Sequence, residues 1–397
     1  MKKFLTVCTM LAGIAGMACA DNLEGFKYGN ETAPTGKEWE SVEELALNKE
    51  QPHAWFFSFE NVEKARKVLP ENSKYWQSLN GTWKFHWAPN PDERPANFHE
   101  VGFDASAWDN IPVPSSWNIV GIQKDGTQKY GTPIYVNQPV IFQHRVAVGG
   151  WKGREGFISI DGVDSFFYLW INGKYVGFSK NSRNTAEFNI TPYLNEEGEN
   201  TVAVEVYRSS DGSFLEAQDM FRLPGIFRTV AIQSRPAVRV RDLVVKPDLD
   251  ENYQNGVLNI SADLLNTSKK NAKDLKMRYT LYQHELYDDN NKPTDVIAYS
   301  APFTLNKLTG KATVKAELKM IEPRKWTAEA PYRYTLVGEL LDKKGRVLET
   351  VSTIVGFREV EIKDTKAEDD EFGLAGRYYY INGKTVKLKG VNRHESH

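Results

Sequence analysis

A chain of 397 residues has room for two to three domains and is far above the size at which a core is hard to build. Fifty Lys plus Arg against 52 Asp plus Glu leave no basic field, which excludes a nucleic-acid binder held by phosphate contacts. A mean hydropathy of −0.51, with no second long apolar run, excludes a polytopic membrane protein, and two cysteines, Cys8 and Cys19, are too few for a disulfide framework.

In chain order, Met1-Lys2-Lys3 precedes an uncharged run from Phe4 to Ala20 that closes on the small residues Ala18-Cys19-Ala20. This is the pattern of a bacterial-type secretory signal, so residues 1–20 are expected to be removed and the protein exported to the periplasm or beyond. A lipid anchor on Cys19 is disfavoured, because Gly16 stands where a Leu-like residue is wanted. Helical periodicity is scarce. Short helices are predicted at Ser41–Asn48 and, behind an Asn cap, at Asn61–Val68.

Elsewhere the period is two. Phe166 to Ile171, then Asn172-Gly173, then Lys174 to Phe178 predicts a hairpin, since both turn residues tolerate positive φ. In Thr201–Tyr207 the valines 202, 204 and 206 face one way and Ala203, Glu205 and Tyr207 the other. Short strands parted by Gly, Pro, Asn and Asp continue to about residue 235, which reads as a β-sandwich over 21–237. A second all-β unit, 238–358, is predicted from the alternation of Leu258, Ile260, Ala262 and Leu264, of Met277, Tyr279 and Leu281, and of Tyr334, Leu336 and Leu340, with Tyr287–Thr294 as a charged loop; its length fits an immunoglobulin-like sandwich. After the acidic Lys363–Glu371 comes a hairpin over Tyr378–Lys384 and a further strand over Val386–Val391, read as the opening of a third domain, 359–397.

Nucleotide and nucleophile-elbow motifs are lacking, and there is no Cys-x-x-Cys. His394-Glu395-Ser396-His397 is one residue short of placing two histidines on one helical face, so a zinc peptidase is rejected. The abundant aromatic rings suit sugar faces, but taken singly each is better explained as sandwich core.

Longer strings are more specific. Leu79-Asn80-Gly81-Thr82-Trp83-Lys84-Phe85, Trp108 to Trp117, Asp161 to Ser165, and Gly198-Glu199-Asn200-Thr201 resemble the opening of a glycoside hydrolase family 2 enzyme. Asp211 to Arg222 followed by Gly225-Ile226-Phe227-Arg228 is similar to the large β-galactosidases, and Gly390 to Glu395 to the family's first barrel strand. The resemblance, running from about Glu38 to His397, implies a mainly β chain: a galactose-binding-like jelly-roll sandwich, an immunoglobulin-like β-sandwich, and the first strand of a truncated (β/α)₈ barrel.

It also implies roles. Asn137 resembles a loop asparagine that reaches from the first sandwich into the active site, where an amide can donate to one sugar hydroxyl and accept from another; the alternative is a loop Asn serving local backbone. Asp219 resembles the aspartate that hydrogen-bonds the galactosyl ring and helps hold sodium; the alternative is a surface carboxylate paired with Arg222 or Arg228. His394 resembles a barrel histidine contacting the sugar; the alternative is a core histidine bonded to a carbonyl. Glu216 is assigned no role. The implied activity is retaining hydrolysis of terminal β-D-galactosides, with magnesium and sodium in the complete enzyme, a β-galactoside or glycan as substrate, and a homo-oligomeric assembly. β-Glucuronidase activity and a non-catalytic carbohydrate-binding fragment are the alternatives.

Two departures stand out. Val148 runs within a few residues into Trp151 and Lys152-Gly153-Arg154, about one strand shorter than in the family, which predicts an unpaired sheet edge. A retaining glycosidase needs two carboxyl groups about 5–5.5 Å apart, and the family's glutamate pair and magnesium ligands are expected after His397. This chain is therefore expected to be inactive alone.

Overall fold

The computed structural model describes residues 33–130, 139–149, 151–196, 198–216, 218–219, 221–284, 296–299, 303–370, 373 and 375–392. The expected signal segment, the Tyr287–Thr294 loop, Asn137 and His394 lie outside them.

The fold is mainly β. A seven-stranded sheet runs in the order Ala46–Leu47, Lys174–Ser179, Phe166–Ile171, Gly198–Tyr207, Pro139–Val148, Gly81–Trp87, Asp109–Val113. A four-stranded sheet, Ala186–Asn189, Arg154–Ile160, Val230–Pro236, Trp76–Ser78, packs against it. One apolar cluster joins them, with Trp83, Phe142, Leu169 and Val204 from the large sheet meeting Ile158, Phe188 and Ile232 from the small one. The Gly198–Tyr207 strand shows why alternation becomes structure. Val202, Val204 and Val206 are fully buried in that core, while Ala203 and Tyr207 enter a second cluster with Phe166 and Trp170 on the opposite face. Burying each valine contributes about 1.5–3 kcal/mol, and with both faces buried the register cannot slip by one residue at small cost.

The Asn172-Gly173 turn forms as predicted, with φ of 50° and 78°. Asn172 also ties the turn to its neighbours, donating to the Tyr193 carbonyl at 2.8 Å and accepting from the Thr201 amide at 2.9 Å. The short connection after Val148 joins one-sided stretches, as the missing strand predicts. Pro139–Val148 is paired throughout with Gly198–Tyr207 but with Gly81–Trp87 only over Val140–Gln143, and Arg154–Ile160 is paired throughout with Val230–Pro236 but with Ala186–Asn189 only over Phe157–Ile160.

The second unit follows at once. Val238–Leu249, Gly256–Asn266 and Gly310–Met320 form one sheet; a second carries Val296–Tyr299, Ala272–His284, Arg333–Leu341 and Val347–Val355, with Phe303–Leu308 also paired to Ala272–His284. The outer strand of that second sheet is Phe57–Phe59, drawn from far upstream and paired to Val347–Val355. The buried Glu349 secures it by accepting from Ser58 Oγ and, at 2.6 Å, from the Val240 amide.

Three expectations change. Ser41–Asn48 is not a helix: Val42 and Leu45 are exposed, no apolar stripe forms, and Ala46–Leu47 instead extends the large sheet against Phe178 and Ser179. The Asn61 helix is a single turn, Val62–Ala65, with Asn61 accepting from the Lys64 amide at 3.0 Å. After the hairpin of Gly376–Ile381 and Lys384–Thr385, the predicted strand over Val386–Val391 is absent; the described residues offer it no neighbour beyond that hairpin, and Leu388 and Val391 are exposed.

Candidate functional site

Of the three residues expected to meet a sugar, only Asp219 is described. It is exposed, in a turn just past the helical turn Ser213–Glu216, with Gln218 at φ 31°. The helical turn starts where the Ser213 hydroxyl accepts from the Ser210 amide at 3.0 Å. Its far end is held by Glu216, whose carboxylate accepts from the Ser182 amide at 2.9 Å and from the Ser182 hydroxyl. Glu216 is the residue that reading the sequence left without a role. Its signal was weak, since a carboxylate that grips a distant loop leaves no spacing pattern.

Ser182 belongs to the loop between Lys174–Ser179 and Ala186–Asn189, and that loop supplies more anchors. Lys180 is buried and pairs with Asp211 at 2.7 Å. Arg183 pairs with Asp164 at 3.5 Å and lies over the Phe227 ring at 4.9 Å. Burial pushes the Asp164 carboxyl above the usual range, with Arg183 opposing it. Burial also lowers Arg208, helped by the like charge of Arg222 and opposed by Asp164. Asp164, Arg183, Arg208, Ser213, Glu216, Phe221 and Arg222 enclose a cavity of about 20 Å³, enough for one water.

Gly225 closes the arrangement. Its φ is 146°, and a Cβ there would sit 2.3 Å from the Ser115 carbonyl oxygen, so only glycine fits. The Gly225–Ile226 strand then pairs with Val163–Asp164, setting Asp164 under the acidic turn.

Arg228, one of the two guanidinium groups considered as a surface partner of Asp219, donates to the Arg183 carbonyl at 2.7 Å. Among the described residues no group of three or more His, Cys, Asp or Glu could hold an ion. Phe214, Leu215 and Phe221 stand 90%, 83% and 69% exposed around the turn. The site is thus a carboxylate on a pinned turn, backed by a half-buried cluster of acids and guanidinium groups and ringed by exposed apolar side chains.

Two units of paired sheets carrying such a turn make a mainly β chain. The model for "Glycosyl hydrolases family 2, sugar binding domain" matches residues 76–236, and that for "Glycosyl hydrolases family 2" matches 238–358. The chain belongs to glycosyl hydrolase family 2.

It is 40% identical over 382 residues to a β-galactosidase of Priestia megaterium, covering 92% of this chain and 35% of that protein. It is 35% identical over 376 residues to a β-galactosidase of Halalkalibacterium halodurans, covering 89% and 33%. The chain spans about a third of the length of these curated relatives. Among solved structures it resembles a family 2 member from Bacteroides cellulosilyticus (TM-score 0.63, 22% identity, 79% of this chain and 39% of that one). It also resembles a Bacteroides uniformis β-glucuronidase (TM-score 0.64, 21% identity, 80% and 35%). At that identity the likeness concerns the fold.

Proposed function

We propose that this chain is the N-terminal portion of an exported β-galactosidase that hydrolyses terminal β-D-galactosides with retention. The observation that carries this reading is the 40% identity to a β-galactosidase over nearly the whole chain. On this reading the first unit is a galactose-binding-like jelly roll, the second an immunoglobulin-like sandwich, and residues from about 359 lead into a (β/α)₈ barrel holding the two glutamates. Asp219, and with it Asn137 and His394, would contact the sugar. Retention requires one carboxyl group as acid/base and a second as nucleophile, and neither role falls to a described residue. A carboxylate at Asp219 accepts hydrogen bonds from ring hydroxyls and orients the galactosyl group for attack. The magnesium and sodium expected for the longer protein stay outside this account, since the described residues do not assemble a cation site.

The test is release of nitrophenol from a nitrophenyl β-galactoside, by this chain and by the protein extended through the barrel. Turnover is expected from the extended protein alone, falling about a hundredfold or more in Asp219→Ala. Turnover by the 397-residue chain would overturn the placement of the catalytic pair. Preference for the β-glucuronide, the activity named for several structural neighbours, would overturn the choice of sugar.

A further inference from the structure

Outside the Asp219 site, the outer face of the four-stranded sheet forms a groove of about 760 Å³, within the range of ligand-binding clefts. Strand alternation builds its floor. Ile158, Ile160, Ala186, Phe188, Val230 and Ile232 point into the core, so their neighbours point out. Register then sets Glu187, Ser159, Ala231 and Ser78 in one row across the four strands, and Asn189, Phe157, Gln233 and Trp76 in the next. A third row is linked by side chains, Thr185 donating to Asp161 at 3.2 Å and Asn80 to Thr229 at 3.3 Å.

One wall is aromatic. Trp55 is 62% exposed and is braced edge-on by Phe57, with ring centroids 4.8 Å apart. Phe57 is itself fixed in the second unit's sheet by the Phe57–Phe59 pairing. Trp55 therefore presents a flat apolar surface to a cleft that also carries amides and hydroxyls. Trp76, half-buried, lines the same cleft.

The groove's charges are largely spent internally. Glu187 is buried; burial alone would raise its carboxyl, but Arg235, bonded through both nitrogens at 2.7 Å, and His53 hold it down at about 2. Gln233 donates to the same carboxylate at 2.8 Å. Outside that cluster the lining carries Lys49 against the acids Glu50, Glu71 and Asp161, so its formal charge is net acidic and disfavours an anion. What remains available is hydroxyl and amide: Ser78, Asn80, Ser159, Asn181, Asn184 and Thr185.

An exposed indole beside amides and hydroxyls, in a lining where acids outnumber the lysine Lys49, matches a neutral, hydroxyl-rich chain of sugar rings. We propose that this groove is a non-catalytic binding site for a neutral glycan. The loop 181–185 is its wall towards the candidate site: Asn181 and Asn184 line the groove, while Ser182 and Arg183 hold Glu216 and Asp164. A glycan lying in the groove is thereby held beside the turn that carries Asp219. The inference does not depend on which bond the longer protein cleaves.

The test is affinity gel electrophoresis of the 397-residue chain in gels cast with soluble β-galactan, arabinogalactan or polygalacturonate. The neutral polysaccharides are expected to retard the chain and polygalacturonate to leave it unretarded. Trp55→Ala and Asn184→Ala, both at exposed positions, are expected to weaken retardation, Trp55→Ala by about tenfold, which is the worth of one stacked ring. Unchanged circular dichroism and melting temperature would certify their folds. Lys343→Ala, at an exposed turn of the second unit outside both sites, is expected to be retarded like the parent chain. Migration unaffected by both neutral polysaccharides, retardation surviving Trp55→Ala, or retardation lost in Lys343→Ala would each overturn the proposal.

Discussion

Glu205 sits on the strand whose valines fill the core, but it points to the opposite face and is almost wholly buried. The Arg94 Nε lies 2.5 Å from its carboxylate, close enough for an ion pair yet misaligned for a hydrogen bond. Burial therefore outweighs the attraction, and the carboxyl is pushed up to about 7. A raised carboxyl binds its proton more tightly folded than unfolded. Its contribution to stability is full below the ordinary glutamate value of about 4.3, and is lost as pH rises through 7. The parent chain is expected to lose roughly 3 kcal/mol from this group between pH 4 and 8. Glu205→Gln removes the titration, so urea unfolding of the variant should show a flatter profile over that window. An equally steep decline in the variant would assign it to other groups. The alternation of Thr201–Tyr207 foretold which way Glu205 points, but not that Arg94 from a distant loop would meet it, because period two is silent on what covers a face.

At the scale of elements, what was legible followed from local chemistry. Asn172-Gly173 and Asn382-Gly383 both turn with positive φ at each residue, as the dipeptide demands. Strands whose partners are distant were harder to read. Phe57–Phe59 is three residues long and carries no pattern of its own; it becomes a strand because the edge of Val347–Val355 offers it hydrogen bonds. The helical turn Ser213–Glu216 is held in the same non-local way, through Ser182. Glu216→Ala leaves the buried Ser182 hydroxyl and amide without their acceptor, at a cost of about 1–3 kcal/mol each. Residues 213–222 should then be cut faster by chymotrypsin, at Phe214 or Phe221, than in the parent chain, while Glu216→Gln recovers part of the protection. Identical cutting rates would show that the turn is fixed by its backbone alone, and Glu216 would lose its place in positioning Asp219.

Across the whole molecule, the joint between the two sets of paired sheets was not legible in the sequence. It is made of charged groups that look like surface in sequence. Glu155, on the small sheet of the first unit, accepts from Arg239 at 2.8 Å and from the Thr267 hydroxyl of the second. Arg239 is buried and lies over the Phe157 ring at 5.2 Å, beside Arg235 at 4.7 Å. Two guanidinium groups stacked on one ring are tolerable only because Glu155 and Glu187 each neutralise one of them. Removing one carboxylate strands a buried cation at the joint, a loss of about 3–5 kcal/mol. With the joint intact, the two units share a strand and a buried ion-pair layer, so calorimetry of the parent chain is expected to show one transition. Glu155→Ala should lower the melting temperature and split the transition in two, the units melting separately, whereas Glu155→Gln, which still accepts from Thr267, should split it less. A single undivided transition in Glu155→Ala would mean that the upstream strand Phe57–Phe59, not the ion pairs, couples the two units.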